Sequence, residues 1–566
     1  MDSKPWLKNY DKGLPTTLQP YLQQTLIDVM RETASQRPNH TVIHFKNTTI
    51  SYRQLDQLSD QFAHALIKLG IKKGDRVALV LPNIPQFVIA EFGVWKAGGV
   101  AACINPLYTE YETAHALNEC GAETVVAMTS FYNKVKAVQS QTKVKRVIAT
   151  NVKEYLPTVM RILFGLAKEK KEGHHITLQS GDFWFQDLLN QHKGAGRPSV
   201  TINPSDNAII LFTGGTTGLS KAAVGSHEGL VMSGKQIFAW FQNILHEWDD
   251  VFLTALPLFH VFANAGVQTA ALTSRGSMAL VPNARDIPDV MQTIEKTKAT
   301  FFPSVPTMFN AMLNHPLVKE GKVNLTSIKL CISGASALLQ ETKESFEKLT
   351  GSRIVEGYAL TESMMAICCT PVEGKYKVGS IGMPVADVFV RIADAEDGSK
   401  DLPLGADHVG EIVVRAPQLM RGYWQRPEAT ADMLRNGELY TGDLGYMDED
   451  GYIFIVDRKK DVVKVSGFQV WPREVEEVLA TNPKVMEVAV AGIPDPRTTE
   501  AVKAWIVLHP GVTATAEEIQ NFAKEKLTGY KVPRFVEFRS ELPKSTVGKV
   551  LRRELVREEA EKTKQK

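Results

Sequence analysis

The segment LFTGGTTGLSKAAV, residues 211–224, sets three glycines, three threonines and one lysine at the end of a β-type run. Gly214, Gly215 and Gly218 let backbone N–H groups approach an oxyanion closely. Thr213, Thr216 and Thr217 add hydroxyl donors, and Lys221 adds positive charge. This is the chemistry of a phosphate-holding loop. No G-K-[ST] ends it, so it is not a Walker A loop; a flexible Gly/Thr turn is the alternative to a phosphate loop for the stretch alone.

Three further stretches carry chemistry. EGYALTES (356–363) sets Glu362 behind Thr361, where a carboxylate could hold a metal bound to nucleotide phosphates; magnesium takes one or two carboxylates plus phosphate oxygens and water. By itself a capped helix with a surface glutamate explains it better. YTGDLGYMDEDGYIFIVDRKKDVVKVSGFQVWPREVEE (440–477) offers Asp443 as acceptor and Arg458 as donor for sugar hydroxyls, or a pair of charged turn residues. LPKSTVGKVLRREL (542–555) presents Lys549 from a turn after Val547 and Gly548. A lone lysine is usually solvated surface.

The elements around these stretches define a layered protein. RVALVLP (76–82) reads as a buried strand and IPQFVIAEFGVWKAG as a helix. Short β runs then alternate with helical stretches as far as LCISGA, the pattern of parallel α/β layers. From about Pro384, VFVRIAD, GEIVVRAP and GYIFIVD predict a small antiparallel barrel or sheet. After Asp457-Arg458-Lys459-Lys460-Asp461 a mixed α/β pattern resumes. The organisation is a large unit over 1–456 with its β-rich part at 384–456, a charged hinge at 457–461, and a small α+β unit over 462–566.

The chain has 566 residues, 44% hydrophobic and 23% charged, with a net charge of +2, so several domains are required and phosphate neutralisation gives no reason for a nucleic-acid partner. Cys103, Cys120, Cys331, Cys368 and Cys369 are scattered without C-x-x-C, which argues against zinc or a disulfide framework and for a reducing, cytoplasmic compartment. The opening residues lack an apolar signal core, and no run approaches the ~20 apolar residues that span a bilayer. The segment 155–173 is apolar and then basic, which suits either an ordinary surface helix or peripheral contact with a membrane.

In order and spacing the four stretches resemble the adenylate-forming superfamily of acyl-CoA synthetases, acid-activating domains of peptide synthetases and beetle luciferases. KPWL, KKGDRVALVLPN, NPLYT, RGYWQRPEAT, VDRKKD, LTGYKVP and PKSTVGKVLRREL resemble its bacterial long-chain fatty acid–CoA ligase branch. The resemblance implies that Thr213 to Lys221 wraps the β and γ phosphates of ATP, and that Gly334-Ala335-Ser336 and Glu356-Gly357-Tyr358 cradle adenine. It implies Mg2+ on Glu362, with Thr216 beside it and Thr361 touching phosphate. Asp443 and Arg458 become the ribose pair, and Lys549 bridges the acid carboxylate and the α-phosphate. Lys460 becomes the hinge, His260 lines the acyl site, and Lys464, Ser466, Gly467 and Phe468 border the coenzyme A tunnel. Two positions depart from the pattern: Ala222 and Ala359 stand where relatives carry glycine. The implied activity is ATP-dependent ligation of a long-chain fatty acid to coenzyme A. A medium-chain or aryl acid–CoA ligase, a luciferase-like oxidase and a catalytically silent nucleotide-binding module are the alternatives. Substrates are small molecules; the oligomeric state is not legible, and a homodimer stays open.

Overall fold

The computed structural model describes residues 4–213, 220–336, 338–459, 461–465, 468–495, 497–545 and 548–564. The chain is mixed α/β, with two large sheets, a smaller antiparallel sheet and a small α+β unit at its C-terminal end.

One large sheet has eight strands. Its parallel part runs through Asn207–Phe212, Val100–Cys103, Arg76–Val80, Thr124–Met128, Arg146–Thr150 and Phe183–Trp184, in that spatial order. Ala222–Ser226 folds back antiparallel on Asn207–Phe212, and Gly422–Tyr423 pairs with it from far along the chain. The other sheet has nine strands, with a parallel centre of Arg353–Leu360, Leu330–Ser333, Phe301–Ser304, Val251–Thr254, Ser277–Leu280 and Thr41–Phe45. These strands are short apolar runs because both faces are covered. Helix Pro85–Lys96 is buried along its whole length, which explains a helical segment with no polar face. Its two buried charges are both engaged: Glu91 accepts from Asn264 and Gln268, and Lys96 pairs with Asp56 and Asp60.

The β-rich segment is a five-stranded antiparallel sheet of Phe389–Ala393, Gly410–Arg415, Glu438–Met447, Leu434–Arg435 and Ile453–Arg458. Among the described residues no ladder joins Phe389–Ala393 to Ile453–Arg458 or Leu434–Arg435, so it lies open rather than closed into a barrel.

The C-terminal unit is a second five-stranded sheet around the long hairpin Val485–Asp495 and Thr499–Leu508. Alternation along the second strand sets Val502, Ala504 and Ile506 in one core and Ala501, Trp505 and Val507 in another, the period of two that a sheet covered on both faces requires. Helices Pro472–Ala480 and Ala516–Lys524 contribute to the first core, and Leu555 of helix Arg552–Lys564 to the second. No helix among the described residues is long and apolar enough to cross a membrane.

Gly382 joins the nine-stranded sheet to the open sheet, its carbonyl accepting from Ile453 N–H at 2.8 Å. Its φ is +84°, and an added Cβ would stand 2.0 Å from the carbonyl carbon of Cys369. Backbone cannot yield as a flexible side chain can. Gly382→Ala is therefore expected to destabilise the chain by at least about 2 kcal/mol, read as a lowered urea midpoint of the intact protein; an unchanged midpoint would contradict the close approach.

Candidate active site

Three neighbouring parallel strands of the nine-stranded sheet end side by side, with Ser304 paired to Ser333 and Ser333 to Glu356. Open α/β sheets bind ligands in the crevice beyond such carboxyl ends. Gly334 and Gly357 meet there. A Cβ at Gly334 would lie 2.8 Å from the Phe262 ring and 3.5 Å from the Gly357 carbonyl oxygen, and one at Gly357 would lie 2.8 Å from Ile332 Cδ1. The pair leaves a strip too shallow for any side chain. Ala335 holds φ +69° and both it and Ser336 are exposed beyond the strand, a left-handed turn that costs a non-glycine residue some strain. Glu356 supports the strip rather than lining it. Its carboxylate accepts from Tyr376 Oη at 2.7 Å and from Leu338 N–H at 3.4 Å, and its own N–H and carbonyl are engaged by Thr370.

Tyr358 and Asp443 come from different sheets and meet. The Tyr358 hydroxyl donates to Asp443 Oδ2 at 2.5 Å, while Arg458 Nε lies 3.0 Å from Oδ1. Asp443 and Arg458 are direct partners across the ladder of Glu438–Met447 with Ile453–Arg458, so sheet register places a donor and an acceptor at one spot. Burial, then the Asp443 carboxylate, holds the phenol well above its ordinary pKa and keeps it a donor.

The ends of the glycine-rich loop are tied together: Thr213 N–H donates to the Lys221 carbonyl at 2.9 Å, and Lys221 N–H to Thr213 Oγ1 at 3.2 Å. Gly214, Gly215, Thr216, Thr217 and Gly218 lie outside the described residues, as do Lys460, Ser466 and Gly467. Lys221 Nζ stands 4.9 Å above the Tyr423 ring, and the Tyr423 hydroxyl donates to Glu362 Oε1 at 2.6 Å. Tyr423 thus couples the loop's cation to the carboxylate beside the buried Thr361. Sequence reasoning missed it, because nothing in RGYWQRPEAT shows that this tyrosine pairs across to Ala223.

Lys549 arrives from the C-terminal unit on a turn closed by Ser545, whose N–H donates to the Lys549 carbonyl at 2.7 Å. Gly548 is pressed against the large unit: a Cβ there would stand 2.7 Å from Thr307 Oγ1. The Lys549 side chain keeps solvent contact but stands in a cleft walled by protein. Partial desolvation, then the like charge of Arg458, lowers its amine to about 8. His260 faces this lysine. Burial, then the Lys549 charge, lowers the imidazole to about 4, so it is neutral at pH 7. Its Nδ1 accepts from Phe262 N–H at 3.3 Å, which leaves the proton on Nε2.

An apolar cavity opens beside the glycine strip, lined by Trp240, Phe262, Val267, Met365, Cys368 and Gly357 among others. His260, expected in the lining, lies two residues before Phe262 and outside it. The wall segment Phe262–Gln268 is π-helical, a form concentrated at functional sites. Lys464 and Phe468 are not brought to this crevice by the contacts they make: Lys464 N–H donates to Glu500, and Phe468 stacks on Tyr530 at 4.7 Å, all within the C-terminal unit.

A fold whose two units meet around the base of a glycine-rich loop, an acid–arginine pair and an incoming lysine matches a known family. The AMP-binding enzyme model matches residues 30–424, and the AMP-binding enzyme C-terminal domain matches residues 474–549. The chain belongs to the AMP-binding enzyme family. A long-chain-fatty-acid–CoA ligase of Bacillus subtilis (strain 168) is 38% identical over 559 residues, covering 99% of this chain and 98% of the relative. One of Escherichia coli O6:H1 is 37% identical, with 98% of each covered. Among solved structures, an anthranilate CoA ligase in complex with anthranoyl-AMP superposes with a TM-score of 0.83 at 26% identity, covering 96% of this chain and 99% of that one.

Lys549 is under strong local electrostatic influence, and that is measurable. Half-maximal reaction of Lys549 with an amine-selective probe is expected near pH 8, well below an ordinary lysine, and Arg458→Gln is expected to move the midpoint upward by removing a like charge. A midpoint unmoved by that change would show that Arg458 does not act on the amine.

Proposed function

We propose that this chain is an AMP-forming long-chain fatty acid–CoA ligase that makes an acyl-adenylate and then the thioester. The observation that carries the reading is Lys549, carried on a turn whose Gly548 meets Thr307 and lying within electrostatic reach of His260, Asp443 and Arg458. Near-full-length similarity to ligases named for long-chain fatty acids supports the substrate class, and the mostly apolar lining of the cavity, about 40 Å³, suits methylene groups rather than polar ones, each buried methylene contributing about 0.8 kcal/mol.

The proposed residue roles follow the family pattern, and the described contacts suit them. Asp443 and Arg458 take the ribose hydroxyls, Tyr358 lies against adenine over the Gly334–Gly357 strip, and Thr213 to Lys221 takes the β and γ phosphates. Among the described residues, Glu362 accepts through Oε1 from Tyr423 and its other carboxylate oxygen makes no hydrogen bond. No cluster of three His, Cys, Asp or Glu exists among the described residues, so the donor set is one carboxylate with phosphate oxygens and water, which fits Mg2+. Glu362 would hold that ion, and the family pattern adds Thr216 as a ligand; the ion would neutralise phosphate charge.

In the first half-reaction a carboxylate oxygen of the acid bonds to the α-phosphorus in line, the bond to the bridging oxygen breaks, and pyrophosphate leaves. The work of the protein is positioning and charge neutralisation. Lys549 would bridge the two anions, and the His260 Nε2–H would offer a neutral donor that adds no competing charge. A donor of this kind is worth about 3 kcal/mol. In the second half-reaction the C-terminal unit turns about Lys460, withdrawing Lys549 and bringing Lys464, Ser466, Gly467 and Phe468 forward. The coenzyme A sulfur bonds to the acyl carbon, the mixed-anhydride C–O bond breaks, AMP leaves with the electron pair, and the thiol proton passes to solvent. One bound intermediate is thereby served by two alternating sites. Free, buried cysteines fit a cytoplasmic setting, and peripheral membrane contact fits substrates that partition into bilayers.

AMP and thioester formation across a series of fatty and aryl acids, with and without coenzyme A, tests the reading; no pyrophosphate from any fatty acid would end it. Lys549→Ala is expected to lower adenylation by ~10²–10³ while sparing thioester formation from supplied acyl-AMP, and equal losses in both steps would refute the division of labour. Because the lysine must be charged, kcat/KM for adenylation is expected to fall as pH rises through about 8. Gly548→Ala, which drives a Cβ into Thr307, is expected to slow the same half-reaction at least about tenfold; pyrophosphate exchange at the wild-type rate would detach that contact from catalysis.

A further inference from the structure

Helix Thr158–Ala167 has no buried residue, yet it is one of the most apolar segments of the surface. Val159, Ile162, Leu163 and Leu166 are 69%, 57%, 58% and 82% exposed. Their spacing is i, i+3, i+4, i+7, so they form one continuous stripe. An ordinary surface helix turns such a stripe inward. This one turns it out and packs the opposite side: the Phe164 ring meets His174 edge-on at 5.4 Å.

The helix is also firmly mounted. The turn before it is fixed by Thr48 Oγ1 donating to the Tyr155 carbonyl at 2.9 Å, and Arg161 clasps the carbonyls of Lys153 and Glu154. The turn after it is fixed by Glu169, which pairs with Lys153, and by His174, bonded to Thr129. Nothing in these contacts lets the stripe fold back onto the protein.

The basic residues after the helix sharpen its chemistry. Lys168, Lys170 and Lys171 are exposed directly beyond the last turn. Lys168 has a 3.7 Å pair with Glu172, and among the described residues Lys170 and Lys171 make no ion pair. Apolar side chains bordered by uncompensated ammonium groups complement a surface of acyl chains beneath phosphates. They do not complement themselves, since two copies would set like charges together, and four side chains on a ten-residue helix fall far short of the ~800 Å² per partner of a stable interface.

We propose that helix Thr158–Ala167 is a docking surface for an anionic lipid bilayer, with Val159, Ile162, Leu163 and Leu166 entering the interface and Lys168, Lys170 and Lys171 meeting the headgroup phosphates. At ~1.5 Å per residue the helix is about 15 Å long, too short to span and suited to lie in the interface plane. The purpose of the device rests on the fatty acid–ligase reading, because acids that partition into a bilayer are then taken up where they reside; its geometry does not.

The full chain is sedimented with phosphatidylcholine vesicles with and without phosphatidylglycerol, at low and high salt. Binding is expected only with the anionic lipid, weakening as salt rises. Ile162→Glu with Leu166→Glu, and separately Lys170→Glu with Lys171→Glu, are expected to weaken it at least about tenfold, with wild-type turnover of decanoate in vesicle-free solution. Absence of vesicle binding by the wild type, or binding undiminished in both double variants, overturns the proposal. So does a concentration-dependent dimer that the first double variant dissolves, which would make the stripe a contact between copies. Wild-type protein that binds vesicles but releases no AMP from any acid would support the docking surface and refute the ligase reading.

Discussion

A single cation, carried on one folded unit and needed at a crevice in another, constrains the rest of the molecule. Lys549 is steered into place by Gly548 packing on Thr307 and enters a field already set by Arg458 and Asp443. An ammonium group crowded by protein and faced by a guanidinium is destabilised, and its lowered pKa measures that cost. Two bound anions, a carboxylate and a triphosphate, would relieve it. The protein's own charges therefore leave the crevice electrostatically incomplete, and the substrates complete it.

That account explains why the neighbouring groups are arranged as they are. Arg458 is anchored to Asp443 through sheet register, so its charge cannot swing away from the lysine. Arg552 pairs with Glu476, Asp461 and Asp457, which ties the start of the last helix across the charged junction. The contacts of Arg552 with Asp457 and Asp461 would have to be released for the unit to turn. Around the junction, then, rigid ladders sit on one side and largely buried ion pairs on the other.

The apolar cavity and the outward-facing stripe at Thr158–Ala167 belong to the same physical problem. A long alkyl chain leaves water readily for either. Inside the protein, Asn264 and Gln268 bond Glu91 behind the π-helical wall, so the wall is held from its polar rear while its front stays apolar. Burial raises Glu91 to about 7, and its three side-chain hydrogen bonds partly offset that.

Much of this was legible in the sequence because it depends on neighbours along the chain. Strands such as Arg76–Val80 and Thr124–Met128, the buried helix Pro85–Lys96, the glycine-rich hairpin ends at Thr213 and Lys221, and the turn that presents Lys549 are local patterns of period, propensity and flexibility. The four motifs in order also identify the family. What the linear text could not supply is which distant residues share a point in space. Tyr423 reaching Glu362, Thr307 receiving Gly548, Glu356 serving as a strut rather than a contact, and His260 standing outside the cavity lining are all decided by sheet order and packing between units. The stripe of Val159, Ile162, Leu163 and Leu166 shows the division most plainly. Its spacing is written in the sequence, but whether it faces the core or the solvent depends on what covers it, and only the tertiary structure decides that.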